Sequence, residues 1–525
     1  MTTETFQDIF AWLERVYPDK DAIADGRNVS WTFGELCDYS RRACAGYRQF
    51  AGLRKGDRIG WLSFEPTAAL LSLSFGARKM GAIPVIMNSR ASPEALAWMI
   101  NNVQVEVLSY TRECRDLLER VRSVGIPCVR QYLAMDEPIN IPGEVLLNDV
   151  YSEFERANEP EVAIGPEDVC FIAYTSGTTG QPKPVVHLER EWSWTTLMMA
   201  HVLGISHKDV TAVVMPPSFI GWAHVTCASL RVAAKQASLR FHPRQFVETV
   251  AKESVTHSLL SATLVRMLYS EYRNRTGSWM TESLRVCAVG GEPITVDVHN
   301  MFREMFPNAA RISSLGATEG ILLHSGVQNP YITEHFQAIG KPLPGVTAEL
   351  RDEETGEVIE ETGRPGVLYA RGPGIAAGIW NDRDATETNF PGGWWRTGDV
   401  LQRDKEGYYS YSGRSDHMFK SGGIKVFAED VERKLKSHPA VLDAVVVPVS
   451  DAKFGFVPFA HVRHSEPVNA EMLEEWWSDK AFEGYNRPRH WKFWGEHPFP
   501  MLTDVKIDRK ALARMVEKGA ESGSE

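Results

Sequence analysis

The sequence predicts an α/β protein: a large N-terminal domain of layered, mostly parallel sheets with a small β-barrel subdomain, then a small α+β C-terminal domain. Three changes of texture carry this prediction. Up to about residue 335, short apolar runs alternate with helical patterns, the rhythm of βαβ units. Glycines and prolines then punctuate short β-rich runs, which reads as an antiparallel subdomain. From about residue 413 a compact mixture of helices and strands begins.

In chain order, apolar stretches at 61–87, 105–110 and 127–135 alternate with helical patterns at 93–102 and 113–124. The rhythm returns at 210–216, 246–253, 255–259, 284–289 and 309–314, and the β-rich runs are 347–351, 366–371 and 408–412. The last texture holds a helix at 428–437, strands at 442–449 and 457–463, and a helix at 469–480. The domains are therefore drawn as 1–413 and 414–525.

Composition narrows the function. A chain of 525 residues with 43% hydrophobic and 24% charged residues is an ordinary globular protein, too long for one small domain. A net charge of −11 argues against a nucleic-acid partner. Seven cysteines with no C-x-x-C spacing point to a reducing, cytoplasmic setting. The acidic start lacks the apolar core of a secretory signal. Residues 66–87, the most apolar stretch, are broken by Arg78 and Lys79, so no membrane span is expected.

The sharpest local signal is YTSGTTGQPK at 174–183, following the apolar run 169–173. Glycines let backbone N–H groups turn inward, hydroxyls add donors and Lys183 adds a cation, which together suit a polyphosphate. It is not a Walker A loop, because Lys183 does not directly follow Gly180 and no Ser or Thr follows it. A surface linker would share the composition, but not the strand before it and the Pro-Lys after it.

From here the chain resembles the adenylate-forming superfamily, in its acyl- and aryl-CoA synthetase branch. The resemblance covers nearly the whole chain, in order: VGGEP at 289–293, GATE at 316–319, WWRTGD at 394–399, GRSD at 413–416, Lys420 with Gly422-Gly423, and TDVKIDR at 503–509. Singly, Asp399 could cap a turn, Glu319 and Arg414 could be solvated charges, and Lys506 could belong to a basic face. The ordered set is what gives them roles.

The resemblance implies that Thr175, Ser176, Gly177, Thr178, Thr179 and Lys183 wrap the β- and γ-phosphates of ATP. Gly291, Glu292 and Pro293 would flank the adenine on one side, Leu315 and Gly316 on the other. Thr318 would touch the α-phosphate and Glu319 would hold Mg²⁺. Asp399 would accept both ribose hydroxyls, with Arg414 assisting. Lys506 would reach the acyl carboxylate and α-phosphate from a mobile C-terminal domain pivoting at Asp416. In its other orientation that domain would present Lys420, Gly422 and Gly423 to the thiol of coenzyme A.

Three positions depart from the family pattern. Pro184 stands where glycine is usual, Leu315 where an aromatic stacks on adenine, and Val505 where glycine precedes the catalytic lysine. The acyl pocket is expected at PPSFIGWAH, 216–224, with Phe219, Ile220 and Trp222 apolar and Gly221 leaving room. The same residues would suit a packed core. No aspartate there could pair with an α-ammonium group, so a bulky hydrophobic acid, aromatic or polycyclic, is expected. The chain ends shortly after Lys506 and carries no insertion between 413 and 432, which favours free coenzyme A as acceptor. A ligase loading a separate carrier protein and a non-catalytic nucleotide-binding protein are the alternatives. A homodimer is left open.

Overall fold

The computed structural model describes residues 4–158, 160, 162–175, 182–275, 277–292, 294–326, 334–335, 337–480, 482, 484–503 and 506–521; of 485, 502–503, 506 and 517–521 it describes the backbone alone. The chain forms two compact units, Met1–Ala348 with Ala370–Trp395, and Glu349–Tyr369 with Arg396–Glu525. The strands after residue 395 thus group with the C-terminal residues, and a boundary at 413/414 falls inside the second unit.

The first unit holds two sheets. In one, Val169–Thr175, Ile83–Ile86, Arg58–Leu62, Val105–Tyr110, Gln131–Ala134 and Val145–Leu146 are successive parallel neighbours. Lys183–Leu188 and Gly378–Ile379 extend it antiparallel. In the other, Asp21–Asp25, Lys235–Ser238, Val210–Val213, His257–Leu260, Val286–Val289 and Ala310–Ala317 run parallel, with antiparallel Gly320–His324 beyond the last. Central parallel strands are covered on both faces, which is why Ile83–Ile86 and Val286–Val289 are buried throughout.

Local chemistry sets the element ends. Helix Phe33–Ala51 starts on Thr32, whose side chain accepts from the Glu35 N–H while the Glu35 carboxylate accepts from the Thr32 N–H. It stops on Gly52 in the left-handed region, φ 62°. Its crossing with helix Ala68–Lys79 needs Gly76, where a Cβ would lie 2.8 Å from the Ser40 carbonyl oxygen.

The apolar stretch 61–87 resolves into a strand end, that buried helix and strand Ile83–Ile86. The two cations that interrupt it are buried as well: Arg78 is 4% exposed and pairs with Glu189 at 2.7 Å. No helix among the described residues is long and apolar enough to cross a membrane.

Four strands whose residues fall mostly in the second unit are neighbours in order, Thr347–Arg351, Gly366–Arg371, Trp395–Arg403 and Tyr409–Arg414, the last two antiparallel. The α+β part follows. Val441–Asp451 and Gly455–His464 form a long antiparallel pair, and His490–Phe493 adds in parallel. Helices Ala428–Lys436 and Ala470–Asp479 close a core of Val431, Leu435, Val446, Ala460, Leu473 and Trp477.

Candidate active site

In the first unit, the expected phosphate loop grows out of a strand pair. Val169–Thr175 and Lys183–Leu188 are antiparallel, with Thr175 opposite Lys183 and Tyr174 opposite Pro184. Pro184 has no N–H to donate, yet its carbonyl accepts from Trp380 N. The Lys183 ammonium donates to Asn389 Oδ1 at 3.1 Å. Asn389 lies 206 positions away, and no spacing in the sequence announces it. Ser176, Gly177, Thr178 and Thr179 lie outside the described residues, as does Pro293.

The expected adenine-flanking segments belong to neighbouring parallel strands, Gly291-Glu292 just past the end of Val286–Val289 and Leu315-Gly316 near the end of Ala310–Ala317. Val289 pairs with Ser313 in register, so both segments lie toward the carboxyl ends of adjacent strands, the side on which ligands bind in α/β sheets. Gly291 has φ 80°, which favours glycine, and the Glu292 carboxylate accepts from the Thr263 hydroxyl at 3.0 Å. At Gly316 a Cβ would come within 3.0 Å of the Gly320 carbonyl oxygen.

Thr318 and Glu319 form the tip of the hairpin closed by Ala317 opposite Gly320. Both tip carbonyls are held: Thr318 O by His187 Nε2 at 2.9 Å, and Glu319 O by Ala376 N at 2.8 Å. Motif reading did not find His187.

Residues 219–222 begin helix Ile220–Arg231, with Phe219 as its N-cap. Phe219, Ile220 and Gly221 are half-buried, and Gly221 faces Met215 and Leu259. Trp222 is 2% exposed and sits edge-on to Trp61 at 5.6 Å, so its indole is committed to the main core.

In the second unit, Asp399 and Arg414 are cross-strand partners. Arg414 Nη1 donates to Asp399 Oδ1 at 3.0 Å and to the Thr397 carbonyl at 3.0 Å, while Nε donates to Asp416 Oδ1 at 3.2 Å. Gly398 makes room: φ is 74°, and a Cβ would lie 2.7 Å from Arg414 Nη2. Burial pushes the Asp399 carboxyl above the usual range in spite of Arg414 beside it. Burial also works against the Arg414 charge, but Asp399 and Asp416 hold the guanidinium above its ordinary value. Asp416 is held low, its burial outweighed by Arg414 and His417.

A second network lies behind this pair. Glu429 takes His417 Nδ1 and, at 3.4 Å, the Arg414 N–H. Arg509 donates to Glu432 at 2.6 Å and to the Val446 carbonyl at 3.1 Å. Arg509 lies three positions after Lys506, whose backbone pairs with Thr503. The basic run at the end of the chain signalled Arg509, but nothing signalled its carboxylate partners.

Lys420 forms an exposed ion pair with Glu354 at 2.7 Å. Gly422 and Gly423, φ 57° and 85°, are the two central residues of the turn between Met418–Ser421 and Ile424–Phe427. Paired positive φ values suit a two-residue hairpin turn and favour glycine, so the turn alone accounts for both residues.

Known proteins resemble this chain over most of its length. The family model described as AMP-binding enzyme matches residues 10–380. The chain is 29% identical over 499 residues to a long-chain-fatty-acid–CoA ligase of Thermus thermophilus, covering 92% of this chain and 89% of that one. It is 29% identical over 429 residues to the 4-hydroxybenzoate–CoA/benzoate–CoA ligase of Rhodopseudomonas palustris, covering 80% and 77%. The crystal structure of the anthranilate CoA ligase AuaEII with anthranoyl-AMP shares the fold at a TM-score of 0.86 and 24% identity, covering 99% of this chain and 98% of that one. A family model spanning most of the chain, together with relatives that align over 92% and 80% of it, places it: the chain belongs to the AMP-binding enzymes, in the acyl- and aryl-CoA synthetase branch of the adenylate-forming superfamily.

Proposed function

We propose that this acyl-CoA synthetase activates a bulky hydrophobic carboxylic acid, aromatic or polycyclic, as its acyl-AMP and then transfers the acyl group to free coenzyme A. In the first step a carboxylate oxygen bonds to the α-phosphorus of ATP while the bond to the β-phosphoryl group breaks and pyrophosphate leaves. In the second, the thiol sulfur bonds to the acyl carbon, its proton is lost, and AMP leaves.

Anion must meet anion in the first step, so catalysis is mostly positioning and charge stabilisation. Thr175, Ser176, Gly177, Thr178, Thr179 and Lys183 are assigned to the β- and γ-phosphates. Gly291, Glu292, Pro293, Leu315 and Gly316 are assigned to the adenine, Thr318 to the α-phosphate, and Asp399 with Arg414 to the ribose. Lys506 is assigned to the carboxylate and α-phosphate during adenylation, Asp416 to the pivot, and Lys420, Gly422 and Gly423 to the thioester step. A single carboxylate such as Glu319 suits Mg²⁺, which is commonly held by one or two carboxylates with substrate phosphates and water. When bound, the metal would neutralise phosphate charge.

The observation that carries the choice of acid is the absence of any acidic side chain between 216 and 224, next to half-buried Phe219, Ile220 and Gly221 with Met215 beside them. Benzoate and anthranilate ligases among the relatives support the same class. The test is ATP–pyrophosphate exchange against a panel of acids, followed by mass spectrometry of the thioester. Exchange driven best by short or α-amino acids would overturn the acid class. Transfer to a carrier protein without transfer to coenzyme A would overturn the acceptor, and no exchange with any acid would favour nucleotide binding alone. Lys506→Ala should reduce adenylation by roughly 10²–10³-fold and spare thioester formation from pre-made acyl-AMP. Equal loss in both half-reactions would remove Lys506 from its assigned step.

A further inference from the structure

The Thr318–Glu319 tip is a two-residue hairpin loop. Such loops usually take turns with positive φ, whose twist matches the flanking strands. Neither Thr318 nor Glu319 has a positive φ, so the tip lacks the backbone geometry that would fix it from within. From outside, the Thr318 carbonyl accepts from His187 and the Glu319 carbonyl from Ala376.

The bond to Glu319 O comes from Ala376 N. Its segment is seated by Gly374, where a Cβ would meet the Trp194 ring at 2.3 Å. The other bond comes from a side chain, His187, 131 positions away in sequence. A carbonyl oxygen only accepts, so Nε2 of His187 carries the hydrogen. The ring is 2% exposed and has little freedom to turn. Trp192 lies edge-on to it at 5.4 Å, and His224 stacks on Trp192 at 4.9 Å.

We propose that His187 is a positioning residue for the reaction: by donating from Nε2 to the Thr318 carbonyl it sets the Thr318–Glu319 tip where the α-phosphate and Mg²⁺ are to be met. The proposal deepens the function proposed above, since it rests on the roles given there to Thr318 and Glu319. His187 does not touch the reacting atoms. It acts through the tip, and it is fixed by a column of rings that reaches helix Ile220–Arg231, on which His224 stands.

The test compares His187→Gln, His187→Asn and His187→Leu. A glutamine amide reaches the place of Nε2; an asparagine amide reaches only that of Nδ1; leucine donates nothing. Three quantities are read: amide hydrogen exchange of the peptide spanning 310–326, the Mg²⁺ concentration giving half-maximal ATP–pyrophosphate exchange, and melting temperature. Asparagine and leucine should loosen amides 318–323, raise the Mg²⁺ requirement and slow exchange roughly tenfold, the worth of one buried hydrogen bond. Glutamine should recover most of all three.

The proposal is overturned if asparagine matches glutamine in hydrogen exchange at the tip, or if all three variants lose melting temperature together with no local change at 318–323. Should leucine not fold, the glutamine–asparagine pair decides alone. Glu319→Gln separates the two layers: an unchanged Mg²⁺ requirement there would refute the metal role of Glu319, whereas hydrogen exchange at the tip would still report on His187.

Discussion

Two arginine–carboxylate pairs in this protein have similar geometry and different surroundings. Arg78 and Glu189 meet at 2.7 Å with side chains 3% and 5% exposed. Arg414 and Asp399 meet at 3.0 Å, 28% and 15% exposed. In the first pair the carboxylate is spent on structure. Oε1 takes Arg78, and Oε2 takes the N–H of Phe6 at the start of helix Phe6–Val16. Arg78 also lies over the Phe6 and Phe171 rings, 3.9 and 4.9 Å from their centroids. In the second pair Arg414 divides its donors among Asp399, Asp416 and a carbonyl, and burial leaves the Asp399 charge under-compensated. The first pair ties elements together even though Arg78 Nε and Nη1 are buried without hydrogen-bond partners; the second divides one guanidinium between two carboxylates at the position proposed above for the ribose.

The comparison can be broken most forcefully at Arg78. Arg78→Leu should cost about 3–5 kcal/mol of stability, because Glu189 would be left buried without its cation. Thermal or urea unfolding reads this directly. A folded variant losing less than a third of that would mean the pair is dispensable. Reversing the charges of both residues would not restore the helix cap that Glu189 provides.

Asp399→Asn sharpens the other side. Nucleotide affinity should fall by about 1.5–3 kcal/mol, the worth of a hydrogen bond to a charged group, with a much smaller change in melting temperature. Calorimetry with ATP and with AMP should show the same loss, since the ribose is common to both. Unchanged affinity in a folded Asp399→Asn protein would refute the ribose assignment.

A smaller effect separates histidines that are buried neutral from carboxylates that are paired. Burial lowers His187 from 6.5 to about 4 and His224 from 6.5 to about 3, His187 adding to the effect at His224. A depressed histidine favours the unprotonated native state, so its contribution is complete above about pH 6.5 and is lost as pH falls toward 4. His187→Gln should therefore flatten the stability–pH curve in that window while leaving it parallel to wild type above pH 7. A curve with unchanged slope between pH 6.5 and 4 would mean that other groups govern acid unfolding.

The smallest structural effect is expected at Lys420. Its pair with Glu354 is exposed on both sides, and such pairs contribute little. Lys420→Ala should leave the melting curve superimposable on wild type and slow only thioester formation. Slowed adenylation of equal size would detach Lys420 from the second half-reaction.

Much of the architecture was legible because its determinants are local. The apolar run before the phosphate loop, the alternation through residue 314 and the helix–strand order after residue 413 depend on periodicity along short stretches. The motif set could likewise be read by order alone, and Thr175 and Lys183, at the two ends of one motif, are cross-strand neighbours.

What only folding decided lies in long-range pairings between unlike segments. Arg78 reads as a charge interrupting an apolar run, and only the arrival of Glu189 makes its burial tolerable. Trp222 reads equally as pocket or core, and Trp61 packed against it puts it in the core. Asn389 meets Lys183, and His187 meets the Thr318 carbonyl, across spans that no local pattern records. Periodicity is written one residue after another, whereas desolvation and hydrogen-bond satisfaction depend on which side chains the sheets bring together.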